Sequence, residues 1–219
     1  MGRAKTLEGG RHPHQRAGLP RAVTRRITRA RSPSGPSVEV LFEGYAAPGV
    51  AGTVGLVREG NRRIVIDPGM VPRRSAILAP LARAGLSPEQ VTDVIFSHHH
   101  PDHTLNAALF PRARFHDFWA IYRNDTWESR PAEGFHVAPH VQLLETPGHT
   151  PQDITTLVET PEGVYAFTHL WWDGSGPPED PLADNAELLH KNRARVARLA
   201  KWIVPGHGAA FPLGPATPV

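Results

Sequence analysis

The segment that most constrains this chain is residues 97–103, Ser-His-His-His-Pro-Asp-His, which has H-x-H-x-D-H spacing. In extended backbone alternate side chains point the same way, so His98 and His100 can bind one metal ion together. A turn after them would direct Asp102 and His103 to a neighbouring position. The apolar run just before the segment predicts a buried strand that delivers these side chains, which favours a metal site over a His-rich surface loop.

Two later segments extend the pattern. Residues 146–150 read Thr-Pro-Gly-His-Thr, and residues 205–208 read Pro-Gly-His-Gly. With the first segment they resemble the metallo-β-lactamase superfamily from about Val38 to Phe211, and most of all its compact metallo-β-lactamase-domain-containing subgroup. The resemblance implies one metal position formed by His98, His100 and His149, and a second formed by Asp102, His103 and His207.

The chain departs from the family at one position. The family has an aspartate that bridges the two metals at the end of a strand, and His169 stands at the equivalent place here. A neutral imidazole offers one lone pair and no charge, so bridging would require the rarer imidazolate form. Three interpretations remain open for His169: a ligand to one metal, an imidazolate bridge, or a residue turned away from the metals. Nearby Asp173 is a candidate replacement carboxylate.

The resemblance also implies an α/β fold, an αββα sandwich. Two mixed β-sheets would pack face to face with helices on the outside and the metal site at one edge. Alternating apolar residues from Val38 onward predict strands that open the first sheet. In the family, an aspartate at the Asp67 position lies under the metals, where it would accept a hydrogen bond from a ligating imidazole.

Three segments predict helices. Residues 72–85 have an apolar face with Pro80 inside, and residues 104–110 follow the metal motif. Residues 185–202 are predicted to form an amphipathic helix, and the pattern places Arg193 on the face directed to solvent or to a partner surface. Beside His169, Trp171 and Trp172 are candidates for the wall of a substrate pocket.

Charge is distributed unevenly along the 219 residues. Residues 1–36 contain nine Lys and Arg but a single acidic residue, which makes them a predicted disordered basic tail, and residues 37–219 are predicted to form the metallo-β-lactamase-like domain. The chain has no cysteine, so a metal must be held by His and Asp. No apolar stretch has the length of a membrane span, and the expected location is cytoplasmic with no membrane partner.

These features predict a metal-dependent hydrolase. A metal-bound hydroxide would attack an ester, thioester, lactone or phosphodiester, and Asp102 would hold metal and orient the nucleophile. The expected cofactor is Zn(II), as one or two ions, with Fe(II) or Mn(II) as alternatives. Two other functions stay open: a mononuclear Fe(II) dioxygenase similar to the persulfide dioxygenases, and a non-catalytic metal-binding module. A small-molecule substrate is expected; nucleic acid bound through the basic tail and a homodimer are further candidates.

Overall fold

The structure is a computed structural model that describes residues 35–219. The predicted basic tail lies outside the described residues, except for its last two positions. The described part of the chain contains no helix with the length and apolar character needed to cross a membrane.

The first sheet contains seven strands in chain order. They are β1 (Ser37–Phe42), β2 (Val54–Glu59), β3 (Arg62–Ile66), β4 (Asp93–Ile95), β5 (Arg114–His116), β6 (Ala120–Arg123) and β7 (Thr126–Ser129). Strands β3, β4 and β5 pair in parallel, whereas the pairs at both ends of the sheet are antiparallel. The sheet is therefore mixed, as expected.

The second sheet contains six strands in the order β13-β12-β11-β10-β9-β8. They are β8 (His136–Ala138), β9 (Val141–Glu145), β10 (Ile154–Thr160), β11 (Gly163–Thr168), β12 (Trp202–Pro205) and β13 (Phe211–Pro212). Strands β11 and β12 are parallel, and helix α3 (Ala186–Ala197) connects them. The remaining pairs are antiparallel.

Three apolar clusters define the layers. The central cluster joins the facing sides of the two sheets, with Ile64 and Ile95 of the first sheet and Ile154 and Phe167 of the second. A second cluster packs helix α1 (Ser75–Arg83) on the outer face of the first sheet. A third packs α3 on the outer face of the second sheet. The order helix, sheet, sheet, helix confirms the predicted αββα sandwich.

The predicted helices exist, but their limits differ. Helix α1 continues through Pro80, and Gly85 follows it with a φ of +76°, a left-handed conformation that glycine adopts without strain. The helix predicted over residues 104–110 instead begins at the metal motif, as α2 (Pro101–Thr104), and a separate 3-10 turn covers Ala107–Leu109. Proline is favoured at the first helical position because its missing N–H has no partner to lose there.

Helix α3 is shorter than predicted, and the prediction for the face that carries Arg193 is wrong. Asn185 caps it by accepting a hydrogen bond from Leu188 N at 2.9 Å, but the helix ends at Ala197. The expectation that Arg193 faces solvent is wrong, because this side chain is completely buried. Its guanidinium donates to the carbonyls of Leu170, Pro177 and Pro178 at 2.6–2.8 Å, in a proline-rich loop outside both sheets.

Candidate metal centre

The candidate ligands come from strand ends and turns that meet at one edge of the sandwich. Residues 97–103 follow β4, His149 lies in the turn between β9 and β10, and His169 and His207 follow β11 and β12. The two sheets are joined at this edge by the hydrogen bond from Thr53 N to Gly206 O, at 2.7 Å. Side chains that are far apart in sequence therefore converge here.

Three histidines form the first ligand set. The Nδ1 atom of His100 lies 3.0 Å from Nε2 of His98 and 3.2 Å from Nε2 of His149. His98 and His149 are buried, whereas His100 is exposed. We call these three residues the three-histidine set; His100 is the member that is exposed to solvent.

Asp102, His103 and His207 form the core of a second set. The Oδ2 atom of Asp102 lies 3.2 Å from Nε2 of His103 and 3.6 Å from Nε2 of His207. Asp102 and His103 are presented by helix α2, whose backbone packs closely on Gly69. A Cβ atom at Gly69 would lie 1.6 Å from the carbonyl oxygen of Asp102, so only glycine fits there.

His169 faces this group of ligands. Its Nε2 atom lies 3.0 Å from Nε2 of His207. By proximity His169 belongs to two groups, one with His98 and His149 and one with His103 and His207; within each group the candidate ligand atoms lie within 4.8 Å of one another. The interpretation in which His169 is turned away is therefore wrong. Asp173 does not replace the missing carboxylate, because it is exposed and its Oδ1 accepts from Ser175 N.

Asp67 supports the ligands from behind. Its carboxylate accepts hydrogen bonds from Ser97 N and Ser97 Oγ, both at 2.6 Å, and lies 2.9 Å from Nδ1 of His103. The Ser97 hydroxyl is in turn 3.0 Å from Nδ1 of His98. Partners of this kind hold the orientation and tautomer of ligating imidazoles. The structure thus puts Asp67 where the resemblance implies it.

Asp180 is a functional candidate that sequence reasoning missed. Its Oδ2 atom lies 2.8 Å from Nδ1 of His149, and both side chains are buried. Asp180 belongs to the proline-rich loop before α3, where its sequence neighbours carry no metal-binding pattern. Only the folded loop brings it to the site. His207 is oriented differently, by the backbone carbonyl of Ala51 at 3.1 Å from its Nδ1.

Burial keeps most of the imidazoles neutral. Desolvation, followed by repulsion from nearby imidazoles, lowers the pKa of His98 and His169 well below 6.5, and lowers those of His100 and His207 in the same direction. Neutral imidazole is the form that binds metals. For His103 burial also lowers the pKa, but the adjacent carboxylates of Asp67 and Asp102 outweigh it and raise the pKa to about 9.

The residues present fit a divalent metal. His103 and His207 each use Nδ1 to bond an oxygen, of Asp67 and of Ala51, which in the neutral ring leaves the buried Nε2 atom as a lone pair facing the centre. An unpaired buried nitrogen is costly unless another group, such as a metal ion, satisfies it. Imidazole nitrogens and one carboxylate form a donor set suited to Zn(II), Fe(II) or Mn(II).

The two tryptophans differ from one another. The placement of Trp171 in a substrate pocket is wrong: the side chain is completely buried in the α3 cluster and its Nε1 donates to Pro218 O at 2.7 Å. The indole is apolar enough to pack between α3 and the second sheet, and the carbonyl satisfies its N–H. Trp172 is half-buried, and its ring centre lies 6.1 Å from that of His207, so it borders the metal centre.

Comparison with known proteins gives the family. The family model described as "Metallo-beta-lactamase superfamily" matches residues 47–207. Metallo-beta-lactamase domain-containing protein 1 of Xenopus laevis is 32% identical over 198 residues, covering 80% of this chain and 81% of that protein. The protein of the same name from Rattus norvegicus is 33% identical over 227 residues, covering 80% and 86%.

Solved structures share the fold at lower sequence identity. A Thermotoga maritima protein named as a candidate metallo-beta-lactamase superposes with a TM-score of 0.66 at 20% identity, covering 82% of this chain and all of that one. A quorum-quenching N-acyl homoserine lactone lactonase superposes with a TM-score of 0.56 at 20% identity, covering 80% and 89%. The matched region spans every candidate ligand from His98 to His207. This chain therefore belongs to the metallo-beta-lactamase superfamily.

Proposed function

We propose that this protein is a metal-dependent hydrolase that acts on a carboxylic ester, thioester or lactone. The observation that carries the proposal is the pair of adjoining ligand sets at the sheet edge, one of which reaches solvent at His100. Divalent ions bound there would lower the pKa of water and polarise a carbonyl oxygen, which is the chemistry that hydrolysis requires. Zn(II) is the expected metal, with Mn(II) or Fe(II) as alternatives.

Asp102 is the candidate catalytic carboxylate. Burial raises its pKa, but the hydrogen bond and charge of His103 outweigh burial and lower the pKa to about 2. The group is therefore anionic at every pH at which the protein would work. Because it is only partly buried, it can hold metal through one oxygen and accept a hydrogen bond from an attacking water through the other.

Apolar side chains near the ligands favour a substrate with an apolar acyl group. Leu105 follows α2 directly and is 65% exposed; Leu182, also 65% exposed, donates its N–H to Asp180. Trp119 is 48% exposed and stacks on His99, inside the metal motif, with ring centres 5.7 Å apart. Exposed apolar groups on the segments that hold a site are a feature of ligand-binding surfaces.

Charge near the opening supports the same choice over a phosphodiester. The charged groups that act on His100 include the acidic side chains of Asp102 and Asp184. Asp184 is exposed, and its N–H bonds the carbonyl of His149 at 3.1 Å. The exposed carboxylate of Asp184 disfavours a phosphodiester anion relative to an uncharged ester or lactone, in opposition to the attraction that bound divalent ions would exert on an anion.

The test is hydrolysis by the full chain loaded with zinc or manganese. We would assay 4-nitrophenyl esters of two to ten carbons, an aliphatic thioester, a γ-lactone and bis(4-nitrophenyl) phosphate. We expect turnover of the carboxylic substrates and a loss of at least about 100-fold in His100→Ala, since a ligand is removed. The matched control is His136→Ala, which removes an exposed histidine of strand β8.

Several results would reject the proposal. Turnover that persists in His100→Ala would show that the reaction does not occur at this centre. Turnover of the phosphodiester alone would reject the acyl substrate class. Bound iron with oxygen uptake and no hydrolysis would favour the dioxygenase, and metal binding without turnover of any substrate would favour the non-catalytic module.

A further inference from the structure

We propose that His169 binds metal together with Asp102, His103 and His207 and not with the three-histidine set. The four residues form what we call the closed set, and the three-histidine set keeps the open coordination position for water and substrate. The proposal rests on the proposed function only in taking divalent ions to occupy the centre. It replaces a shared, bridging ligand with two unequal metal positions.

Ring geometry is compatible with His169 as a member of the closed set. Imidazoles on one tetrahedral ion, with metal–nitrogen bonds of about 2.0 Å, have ring centres roughly 5 Å apart. The rings of His103, His169 and His207 are 5.0–5.3 Å apart at interplanar angles of 70–88°. The rings of the three-histidine set are 4.7–5.1 Å apart at 80–85°. Both trios therefore have the spacing of ligands around one ion, but the ring of His169 is also 4.7 Å from that of His98 at 69°, so the nitrogen positions decide the assignment.

The contact between His169 and His149 has a different character. Their ring centres are 4.0 Å apart and the planes differ by only 30°, so the two rings are close to parallel. The hydrogen-bond-length nitrogen contact of His169 is with Nε2 of His207 at 3.0 Å, whereas its approach to His149 is a tilted contact between rings. This difference places His169 with His207.

The packing around Gly206 explains how His169 reaches this position. A Cβ atom at Gly206 would lie 2.5 Å from Cδ2 and 3.0 Å from Nε2 of His169. The ring edge that carries Nε2 therefore lies against the turn that presents His207, and the absence of a side chain at residue 206 makes room for it. The same Nε2 is 3.0 Å from Nε2 of His207, a separation suited to two ligands of one ion.

The two sets differ in coordination number and charge. The closed set offers four protein ligands, including the carboxylate of Asp102, which is the composition of a site that needs no water ligand. The other set offers three neutral imidazoles, a composition typical of catalytic zinc sites with a fourth position for water. Its member His100 is exposed, whereas His169 is buried, so the open position is also the accessible one.

The experiment follows metal binding without turnover. Metal-free full chain is titrated with Co(II), whose visible spectrum reports coordination; azide is then added, and a chelator removes the ions stepwise while elemental analysis counts them. We expect two ions per chain, a labile ion that the chelator removes at least about 10-fold more readily than the other, tight ion. Only the spectrum of the labile ion should respond to azide.

Single substitutions identify the two positions. In His149→Ala we expect loss of the labile ion and of the azide response, with the tight ion retained. In His169→Ala the tight ion should weaken by about 100-fold while the labile ion and its azide response remain. His136→Ala should behave as the natural chain, and circular dichroism of each metal-free variant establishes that it is folded.

Three outcomes would overturn the proposal. Equal weakening of both ions in His169→Ala, with loss of magnetic coupling between two cobalt ions, would identify an imidazolate bridge. Unchanged binding of both ions would show that His169 is not a ligand. An azide response from the tight ion would show that the closed set has an open position. Intact metal partition without hydrolysis would reject the proposed function and leave this inference standing.

Discussion

The Nδ1 atom of His149 lies 2.8 Å from Oδ2 of Asp180, although 31 residues separate them in the chain. The other oxygen of Asp180 accepts the N–H of Leu182 at 2.8 Å, which fixes the carboxylate within its own loop. His149 is therefore oriented from the proline-rich loop between β11 and α3, and the placement of that loop determines the geometry of the three-histidine set.

Replacing Asp180 by Asn should weaken the ion held by His149. The amide keeps the shape but removes the charge that raises the basicity of the imidazole, so we expect metal affinity to fall by about 10- to 100-fold at this position. Equilibrium dialysis measures it. Asp173→Asn in the same loop is the matched control, because Asp173 is exposed. An affinity unchanged in Asp180→Asn would remove Asp180 from the site.

Replacing Asp67 by Asn should affect both the ligands and stability. Asp67 has a φ of +52°, which Asn tolerates, so the change isolates the carboxylate from backbone strain. Of its hydrogen bonds to Ser97 and His103, at least one becomes unsatisfied, and we expect a loss of about 1–3 kcal/mol in the free energy of unfolding. Urea unfolding of the metal-free protein measures this.

Asp67→Ala provides the comparison for that prediction. This change removes both side-chain oxygens that accept hydrogen bonds and puts alanine at a positive φ, so it should destabilise the protein more than Asp67→Asn does. Metal bound by His103 should weaken in both variants. If Asp67→Asn had the stability and metal affinity of the natural chain, the carboxylate would have no supporting role.

Replacing Arg193 of helix α3 by Met should destabilise the protein. The methionine retains apolar packing, but the carbonyls of Leu170, Pro177 and Pro178 lose their donor, and we expect a loss of about 2–4 kcal/mol in the free energy of unfolding. Thermal and urea unfolding measure it. Arg198→Met, exposed at the end of the same helix, should change stability by less than about 0.5 kcal/mol. Equal effects would contradict the buried role of Arg193.

Stability should fall in acid because of Asp93. Burial raises the pKa of this carboxyl, but hydrogen bonds from His116 and Thr92 and the charge of Arg114 outweigh burial and lower it to about 2. The folded pKa thus lies below the unfolded value of about 3.9, so the group stabilises the fold above that pH by roughly 2 kcal/mol. The stabilisation is lost as pH falls from about 4 to about 2.

Urea unfolding of metal-free protein between pH 2 and 5, a range set by the pKa values of about 2 and about 4, tests this prediction. Asp93→Asn should be less stable at pH 5 and should show a shallower loss of stability in acid. The control is Asp125→Asn, which changes an exposed carboxylate and should retain the full acid dependence. An equal slope in Asp93→Asn and the natural chain would show that another group is responsible.

Local patterns in the sequence predicted the strands that carry the ligands and supplied the resemblance to the family, and that resemblance implied the αββα layers. The H-x-H-x-D-H spacing and the Pro-Gly-His turns are short-range features, because neighbouring residues on a strand or in a turn have fixed relative directions. For the same reason strand β1 lies at Val38, where the alternating pattern predicts the start of the first sheet.

The tertiary structure decided what depends on partners distant in sequence. From the sequence Arg193 is predicted to be a solvent-facing cation, but in the fold loop carbonyls surround it. Trp171 is predicted to line a pocket, but in the fold α3 covers it. Asp180 becomes relevant only beside His149. For His169 the sequence left three interpretations open, and only the fold shows that its ring lies against Gly206 and faces His207. Burial and hydrogen bonding between distant segments are properties of the packed chain and have no signature in local periodicity.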